Sequence, residues 1–390
     1  MSNQQQCPAT GRRTARGAEP GSELVVAENY RYADFQALRE EWNTVADRAP
    51  KASVFLRYEW FDAVWQWQDG GTTPVIITCR DGAALVGILA LALRHERIRG
   101  FSVRRMIPLQ VPDTQEHDLI AAPVDRHRVA AAIADWFHRH RGRWDVLELS
   151  ALPADTGNRD ALLDALRTAG IAADPEPDQV NLSIDLTPSW QYYLKTLTRR
   201  VKKNVNLVRN RLEKQAAVDL EWHRGTDARA TALAEAIDIS ARSWKSGLEL
   251  SLDFEGPRAF IERLTDHAGE QGWLSLWLLR LDGKAVAMEY QLSFAGRVHA
   301  LRGDFDPAHE TLSPGAHLHA QQLQALFATE GLETYLMGPG KNAYKLRWSQ
   351  SGQTLQALRA WSPTMRGFAL RMGQRHLRLQ LHRIRRWLSV

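Results

Sequence analysis

The feature that most constrains the fold is a run of three apolar segments between residues 273 and 305. The segments are WLSLWLLRL, KAVAMEYQLSF and VHALRGDFD, and they are separated by Asp282-Gly283 and by the short turn AGR. Asp-Gly between alternating or apolar runs is a strong signal for a tight hairpin turn. The sequence therefore predicts a three-stranded antiparallel meander in this region.

A second Asp-Gly hairpin lies 201 residues earlier. Asp81-Gly82 separates PVIITCR from AALVGILALALR, as Asp282-Gly283 separates the later runs. Helical periodicity precedes each hairpin, and a helix, a central strand (144–152 and 333–337) and another helix follow it. We interpret this order as an internal duplication that produces two α/β domains, each with its own sheet, connected near ADPEPDQV (173–180).

These patterns divide the chain into four parts: a disordered tail (1–24), a first α/β domain (25–178), a second α/β domain (179–363) and a C-terminal helix (364–390). The tail is rich in Gly, Pro, Arg and Gln and lacks the apolar core of a signal peptide. No apolar run reaches the roughly 18 residues of a membrane span. Cys7 and Cys79 form no disulfide framework, so we expect a cytoplasmic protein.

Two segments concentrate positive charge. Residues 195–214 contain eight Lys or Arg against one Glu, and residues 365–390 contain seven Arg and no acid. Either could bind an anion, and a solvated helix face is the alternative for the first. The second has a stripe of apolar residues at helical spacing, Leu370, Leu377, Leu381, Ile384 and Leu388, with Trp387 beside it. This amphipathic pattern fits either a helix on an anionic membrane or a helix docked on the protein.

The segment MGPGKNAYKLRW (337–348) contains a Gly-Lys pair without the spacing of a nucleotide-binding loop. Asn342 follows Lys341 where Ser or Thr is required, and no glycine lies five residues before Gly340. A short strand, a glycine turn and one or two helical turns with Tyr344 and Lys345 are predicted instead.

Four stretches in this order resemble the GNAT acyltransferase fold, in its BioF2-like or CelD-like branch, which is related to the FemABX peptidyltransferases. The stretches are TRRVKKNVNLVRNRLEK (198–214), LDGKAVAMEYQLSFAGRVHALRGDFDP (281–307), LSPGAHLH (312–319) and GPGKNAYKLRW (338–348). FLRYEWFDAVW (55–65) resembles the start of a degenerate first GNAT copy. The resemblance implies tandem GNAT-like domains, each a mixed, mostly antiparallel sheet flanked by helices.

The resemblance also implies an acyl-CoA donor site at Leu312, Ser313, Pro314, Gly315 and Ala316. Ser313 is a candidate N-cap, and Pro314 suits the first helical position. The amides and partial positive charge of a helix N-terminus suit a pyrophosphate. The usual Gln/Arg-x-x-Gly-x-Gly/Ala loop of GNAT proteins is absent, and SPG alone is also a good helix start.

Acyl transfer needs a group that accepts the proton of the nucleophile. Glu289 and Asp304, on neighbouring predicted strands, are the candidates, and His299 is a further option. The family resemblance places Tyr344 and Lys345 at the mouth of the site. His309, His317 and His319 do not have zinc-ligand spacing on one helix face, so we predict surface histidines and no metal.

Three functions remain open from the sequence. The first is acyl transfer from acetyl-CoA or another acyl-CoA, which is not tightly bound, to a small polar or sugar-lipid acceptor, a role that the resemblance associates with polysaccharide or envelope biosynthesis. The second is a FemABX-type transfer from aminoacyl-tRNA, with residues 195–214 binding phosphates. The third is a non-catalytic scaffold in peripheral contact with an anionic membrane.

Overall fold

The computed structural model describes residues 23–67, 71–98, 100–226, 229–247 and 249–388. The predicted disordered tail lies, up to residue 22, outside the described residues. In this part of the chain, no helix is both long enough and apolar enough to cross a bilayer.

Thirteen strands are found among the described residues. They are β1 (Val25–Asn29), β2 (Thr72–Asp81), β3 (Ala84–Ile98), β4 (Phe101–Pro108), β5 (Ile120–Ala121), β6 (Val146–Pro153), β7 (Ala172–Asp185), β8 (Val218–His223), β9 (Leu274–Leu281), β10 (Lys284–Phe294), β11 (Arg297–Phe305), β12 (Thr334–Pro339) and β13 (Gly352–Trp361). Both predicted Asp-Gly hairpins are confirmed. Asp282 and Gly283 have φ values of 50° and 80°, the left-handed conformation that a two-residue hairpin turn requires.

The described α-helices follow the predicted apolar periodicity. They are α1 (Tyr32–Gln36), α2 (Arg39–Ala46), α3 (Tyr58–Gln66), α4 (Arg126–Arg139), α5 (Asn158–Thr168), α6 (Trp190–Thr196), α7 (Arg199–Gln215), α8 (Arg229–Arg242), α9 (Glu255–Glu270), α10 (Pro314–Phe327) and α11 (Met365–Leu388). The helical segment that precedes the second hairpin is broken into α6 and α7 rather than continuous. Thr198 begins the second helix, because its side chain accepts a hydrogen bond from the amide of Val201.

The strands form one mixed sheet in the order β1-β2-β3-β4-β6-β13-β7-β12-β11-β10-β9-β8, and β5 pairs with β3. All neighbours are antiparallel except β4 with β6 and β11 with β12. The predicted fold class, a mixed and mostly antiparallel α/β protein, is therefore confirmed. The expectation of two separate sheets is wrong, because the two half-sheets join edge to edge.

The two halves join by exchanging a strand. β13, from the end of the second half, pairs with β6 of the first half, and β7 pairs with β12 of the second half. β7 and β13 also pair with each other. The segment 173–180, which we predicted as a connection, therefore lies inside a strand. The predicted domain limits, 25–178 and 179–363, stay a prediction.

Each parallel pair is short and then diverges. β11 pairs with β12 only from Arg297 to His299, opposite Thr334 to Leu336. Beyond these residues the strands separate toward their C-terminal ends. α10 begins nine residues after β11 ends, so its N-terminus lies beyond the same end of the sheet.

The helices cover the two faces of the sheet differently. On one face, α1–α3 and α8–α9 pack together in a single apolar cluster that both halves share. On the other face, α4 and α5 cover the first half, and α6, α7 and α10 cover the second half. We call these the shared face and the divided face.

Candidate active site

A groove of about 1080 Å³ opens over the second half of the sheet on the divided face. Residues of α6 and α7 line one wall, Ala343, Tyr344 and residues 346–351 line another, and Ala316 of α10 borders it. Three segments that the sequence singled out, the basic helix, the start of α10 and the stretch 338–348, therefore meet at one place.

The groove exists because the second half lacks one helix of the first. In the first half, α5 follows β6 and packs its apolar side chains into the cluster formed with α4. In the second half, where the sequence predicted another helix after the central strand, only a 3₁₀ turn at Lys345–Arg347 lies between β12 and β13, so that prediction is wrong. α6 and α7 then approach from the segment that connects the halves, and the Tyr193 hydroxyl donates a hydrogen bond to the carbonyl of Trp348 (2.7 Å).

The walls of the groove combine positive charge with apolar surface. Arg200 and Lys203 project from α7, and Arg347 lies on the opposite wall. All three are exposed, and none has a carboxylate within ion-pair distance among the described residues. Tyr192, which is 62% exposed, adds a large aromatic surface. This lining suits a ligand that carries both phosphate and flat or apolar groups.

The predicted donor segment, Leu312 to Ala316, contains the start of α10, and its cap differs from the prediction. Pro314 is the first helical residue, as predicted, but Ser313 has a φ of 56° and its side chain makes no capping hydrogen bond. Its carbonyl instead accepts from the amides of Ala316 and His317 (3.1 and 3.2 Å). The Gly315 amide belongs to the first turn, where no carbonyl of the helix itself is available.

The turn at 338–340 is explained by its glycines. Gly338 and Gly340 have φ values of 82° and 93°. A Cβ on Gly338 would lie 3.5 Å from Lys345 Nζ, 3.6 Å from Gln115 Nε2 and 3.7 Å from the Ala300 carbonyl. These are ordinary contact distances, so it is the left-handed conformation that requires glycine at this position, which lies where β11 and β12 diverge.

Lys345 folds back over the end of β12. Its Nζ donates to the carbonyls of Gly338 (2.8 Å) and Pro339 (3.0 Å). Burial lowers the pKa of Lys345, and no carboxylate offsets this effect within ion-pair distance among the described residues. Lys345 thus places an ammonium group beside the gap between β11 and β12.

Glu289 forms the centre of a buried polar network beneath the groove. Its Oε1 accepts hydrogen bonds from the Tyr335 hydroxyl (2.5 Å) and the Gln291 amide (2.9 Å). Burial raises the pKa of Glu289, but His319, Tyr335 and Gln291 together offset this effect and hold the pKa below its ordinary value. Glu289 is therefore a carboxylate at neutral pH.

Tyr344 connects this network with the groove. The residue is 41% exposed and lines the groove. Desolvation of its hydroxyl and the charge of Glu289 both raise its pKa well above the ordinary value, so the hydroxyl keeps its proton. Its ring lies 5.4 Å from the ring of His319, edge to face.

Asp304 lies on the shared face, opposite to Glu289. It pairs across the strands with Met288, the residue next to Glu289, and successive residues of a strand point to opposite faces. Lys245 forms an ion pair with it at 2.8 Å. The structure therefore does not bring the two carboxylate candidates together.

His299 also belongs to the shared face. It is fully buried, its ring contacts Phe55 edge to face, and its Nδ1 lies 3.3 Å from Gln115 Oε1. Burial lowers the pKa of His299 to about 3. It is a neutral residue in the interior between the two halves, away from the groove.

The prediction that the three downstream histidines are surface residues is wrong for two of them. His317 and His319 are 5% and 2% exposed. Both belong to α10, which packs between the sheet and α7. Side chains on different sides of this helix, such as those of His317 and His319, are therefore both buried. His309 is partly exposed, 3.8 Å from Asp306.

Comparison with known proteins agrees with this geometry. Residues 199–346 match the family of acetyltransferase (GNAT) domains. The matched part of the second half is a GNAT-type domain. No curated protein sequence matches the chain at a significant level. The resemblance to GNAT proteins that the sequence analysis found is confirmed.

Two solved structures share the fold over most of the chain. FemX has a TM-score of 0.53 at 11% identity, with 85% of this chain and 96% of FemX covered. The C-terminal domain of a candidate lysylphosphatidylglycerol synthetase from Agrobacterium fabrum has a TM-score of 0.52 at 12% identity, with 86% and 95% covered. At these identities the comparison establishes that the fold is shared over most of the chain and nothing about the reaction.

Several residues of the site were not predicted from the sequence. Arg347 and Trp348 belong to the stretch 338–348, but no role was predicted for either of them. His319 was predicted to be a surface residue. Gln115 comes from the first half, and its Nε2 donates to the Ala300 carbonyl (2.7 Å) where β11 and β12 diverge. Nothing in the local sequence around residue 115 indicates this contact, because it depends on the packing of the two halves.

Proposed function

We propose that the protein transfers an acyl group from acyl-CoA to a polar acceptor and is an enzyme of the BioF2-like or CelD-like branch. The observation that carries this proposal is the convergence of α7, the start of α10 and residues 338–348 on one groove above the buried Glu289 network. This arrangement provides cations for phosphates, a helix N-terminus and ionisable groups within one GNAT-type domain.

The donor would bind along the groove. Its pyrophosphate would lie at the amides of residues 312–316, where the partial positive charge of α10 favours an anion. Arg200, Lys203 and Arg347 would neutralise further phosphate oxygens, and Tyr192 offers a surface for the adenine or the pantetheine arm. Acyl-CoA is thus a co-substrate that enters and leaves, without a tightly bound cofactor.

Lys345 and Tyr344 would act on the thioester. The ammonium of Lys345, beside the gap between β11 and β12, can stabilise negative charge that develops on the carbonyl oxygen. The Tyr344 hydroxyl, which keeps its proton, can donate to that oxygen or to the departing sulfur.

Glu289 is the better supported of the two carboxylates. It lies on the same face as the groove, and Tyr344 connects it with the groove wall. Asp304 is neutralised by Lys245 on the shared face. We therefore propose that Glu289 takes part in proton transfer and that Asp304 takes part only if the acceptor enters from the shared face.

The resemblance to BioF2-like and CelD-like proteins supports a sugar or a sugar-lipid precursor as the acceptor, in polysaccharide or envelope biosynthesis. An acceptor on a lipid carrier would require the protein to work at the inner face of a membrane. A cytoplasmic enzyme with peripheral membrane contact meets this requirement.

The start of α11 supports membrane contact through a different face from the predicted one. Leu370, the first residue of the predicted apolar stripe, packs against Val103, Val146 and Trp361 of the protein. The side chains from Leu377 onward lie outside the described residues. The exposed apolar residues of the first turns are Met365, Phe368 and Met372, at 83%, 59% and 47% exposure.

These exposed side chains could insert into a bilayer, and the arginines of residues 365–390 would then bind anionic headgroups. Co-sedimentation with phosphatidylglycerol vesicles tests this, using the full chain and a Phe368→Ser, Met372→Ser double variant that keeps every arginine. Equal sedimentation of both proteins would contradict insertion of this face. Phosphatidylcholine vesicles provide the control for charge.

The alternative function is transfer from aminoacyl-tRNA. The exposed cations Arg200 and Lys203 favour it, because unpaired cations along a helix also suit a nucleic acid backbone. Calorimetric titration of the full chain with CoA and with aminoacyl-tRNA separates the two donors. We expect CoA to bind with a modest salt dependence. Binding of tRNA alone, with an affinity that falls steeply with salt, would overturn the proposal, and membrane binding with neither ligand would favour a scaffold.

A further inference from the structure

We propose that His319, oriented by Glu289, is the general base of the acyl transfer, with its Nε2 accepting the proton of the acceptor. This inference rests on the proposed function, and it adds a residue that the sequence placed on the surface. It is carried by the position of one imidazole between a buried carboxylate and the wall of the groove.

His319 is buried, but one of its two ring nitrogens has no hydrogen-bond partner among the described residues. It is 2% exposed, and its Nε2 has no hydrogen-bond partner among the described residues. A buried polar atom without a partner is costly and is uncommon in folded proteins. The ring is bordered by Trp348 (4.8 Å) and Tyr344 (5.4 Å), and both of these residues line the groove.

The other ring nitrogen determines which tautomer forms. Nδ1 lies 3.6 Å from Glu289 Oε2 and 3.2 Å from the side-chain amide nitrogen of Gln322. A carboxylate can only accept a hydrogen bond, which favours the proton on Nδ1. The amide nitrogen of Gln322 is a donor and, as placed, would favour the other tautomer, but Oε1 of Gln322 has no hydrogen-bond partner among the described residues. Exchanging the two amide atoms turns this oxygen toward Nδ1, where it accepts. These neighbours favour the proton on Nδ1, which leaves the lone pair of Nε2 free to act as a base.

The step balances without another reactant. The acceptor nitrogen or oxygen attacks the thioester carbonyl, its proton moves to His319 Nε2, and the negative charge on Glu289 stabilises the imidazolium. The tetrahedral intermediate then breaks its carbon–sulfur bond. The departing CoA thiolate takes the proton from Nε2, which restores the free base.

The ionisable groups that face His319 come from three elements. Glu289 lies on β10, Tyr335 on β12, and Tyr344 precedes the 3₁₀ turn, with Arg347 one turn further. Both tyrosines stay protonated at neutral pH, because burial and the charge of Glu289 raise their pKa. Glu289 is therefore the one carboxylate in this set that can orient the imidazole.

Nitrogen NMR on the full chain with ¹⁵N-labelled histidine tests the tautomer without any ligand. The His319 signals are assigned by their loss in His319→Gln. At pH 8 we expect Nδ1 to carry the proton and Nε2 to resonate as an unprotonated nitrogen. In Glu289→Gln we expect this preference to weaken. A proton on Nε2 in the wild-type protein would overturn the inference.

A kinetic comparison tests the role in catalysis. With acetyl-CoA and a panel of amino sugars, His319→Gln should lower kcat by about 100-fold or more, leave the Kd of CoA within about 3-fold, and abolish the acid limb of the pH profile. His317→Gln, on the same helix and equally buried, is the matched control and should keep kcat and its pH profile.

The two levels of the proposal fail differently. If CoA does not bind, the acyl-CoA function is wrong, whatever the tautomer. If CoA binds and transfer occurs, but His319→Gln keeps its rate and pH profile, the acyl-CoA function stands and His319 is not the base.

Discussion

The donor site can be tested at Ala316 by comparing two added side chains that have nearly the same bulk and differ by one charge. Ala316 borders the groove and is the third residue of α10, so Ala316→Asp places a carboxylate where the pyrophosphate is expected. Ala316→Asn has nearly the same shape and no charge. Gly315 is a poorer choice, because a Cβ there would lie 3.3 Å from Phe305 Cδ1.

The expected loss of CoA affinity follows from the separation of the two charges. At about 5 Å, two unit charges repel by about 0.8 kcal/mol at the dielectric constant of water and by about 3 kcal/mol at an effective value of about 20. The Asp variant should therefore bind CoA about 4-fold to about 150-fold more weakly than the Asn variant. An acidic residue in the first turn favours the helix itself, so the fold should be kept.

Isothermal titration with CoA measures this difference directly. The two variants are compared at low salt and at about 0.3 M salt, where screening should reduce the gap between them. Equal dissociation constants for Asp and Asn at low salt would refute a pyrophosphate site at residues 312–316. A weaker Asn variant as well would indicate a steric effect of the added side chain.

Three further predictions concern ionisable groups that are buried or partly buried. Lys345→Met keeps the aliphatic part of the side chain and loses both hydrogen bonds to the carbonyls. It should lower the free energy of unfolding by about 1–3 kcal/mol in urea titrations and should also lower turnover. If neither quantity changes, the ammonium group contributes neither to stability nor to catalysis. Glu289→Gln should lower kcat far more than Asp304→Asn does, and the reverse order would move the chemistry to the shared face. His299 has a folded pKa of about 3 and an unfolded pKa of about 6.5, so below about pH 6.5 the unfolded chain binds the extra proton and stability falls as pH falls. Between pH 7.5 and 5 this should cost about 2 kcal/mol, measured as the difference in urea stability between wild type and His299→Gln, and identical pH dependence of the two would contradict it.

Local patterns were sufficient to predict several elements of the second half. The Asp282-Gly283 turn, the three apolar runs around it and the helix that begins at Pro314 depend on neighbours within a few residues, so spacing and turn chemistry determine them. The same reasoning placed β12 and a glycine turn before Lys345. The family resemblance then indicated which of these segments would form a site.

The contacts between segments that are distant in the chain could not be predicted from the sequence. β7 and β13 exchange between the half-sheets, and an extended segment such as 173–180 has no local property that identifies its partner strand. Glu289 and Asp304 looked equivalent in sequence, yet the register of β10 against β11 places them on opposite faces. His319 resembled a surface residue until the packing of α10 was known.

The sequence by itself determined the two Asp-Gly hairpins, the basic helix α7 and the helix start at residues 313–315, because these depend on turn geometry, charge and helical period. The tertiary structure alone decided that the segment after β12 is too short to form a helix like α5, and that α6 and α7 approach the space left open. The groove is this space. The groove lies where the second half has no counterpart of α5. This space becomes a groove only when the two halves fold into one sheet and α6 and α7 pack beside it.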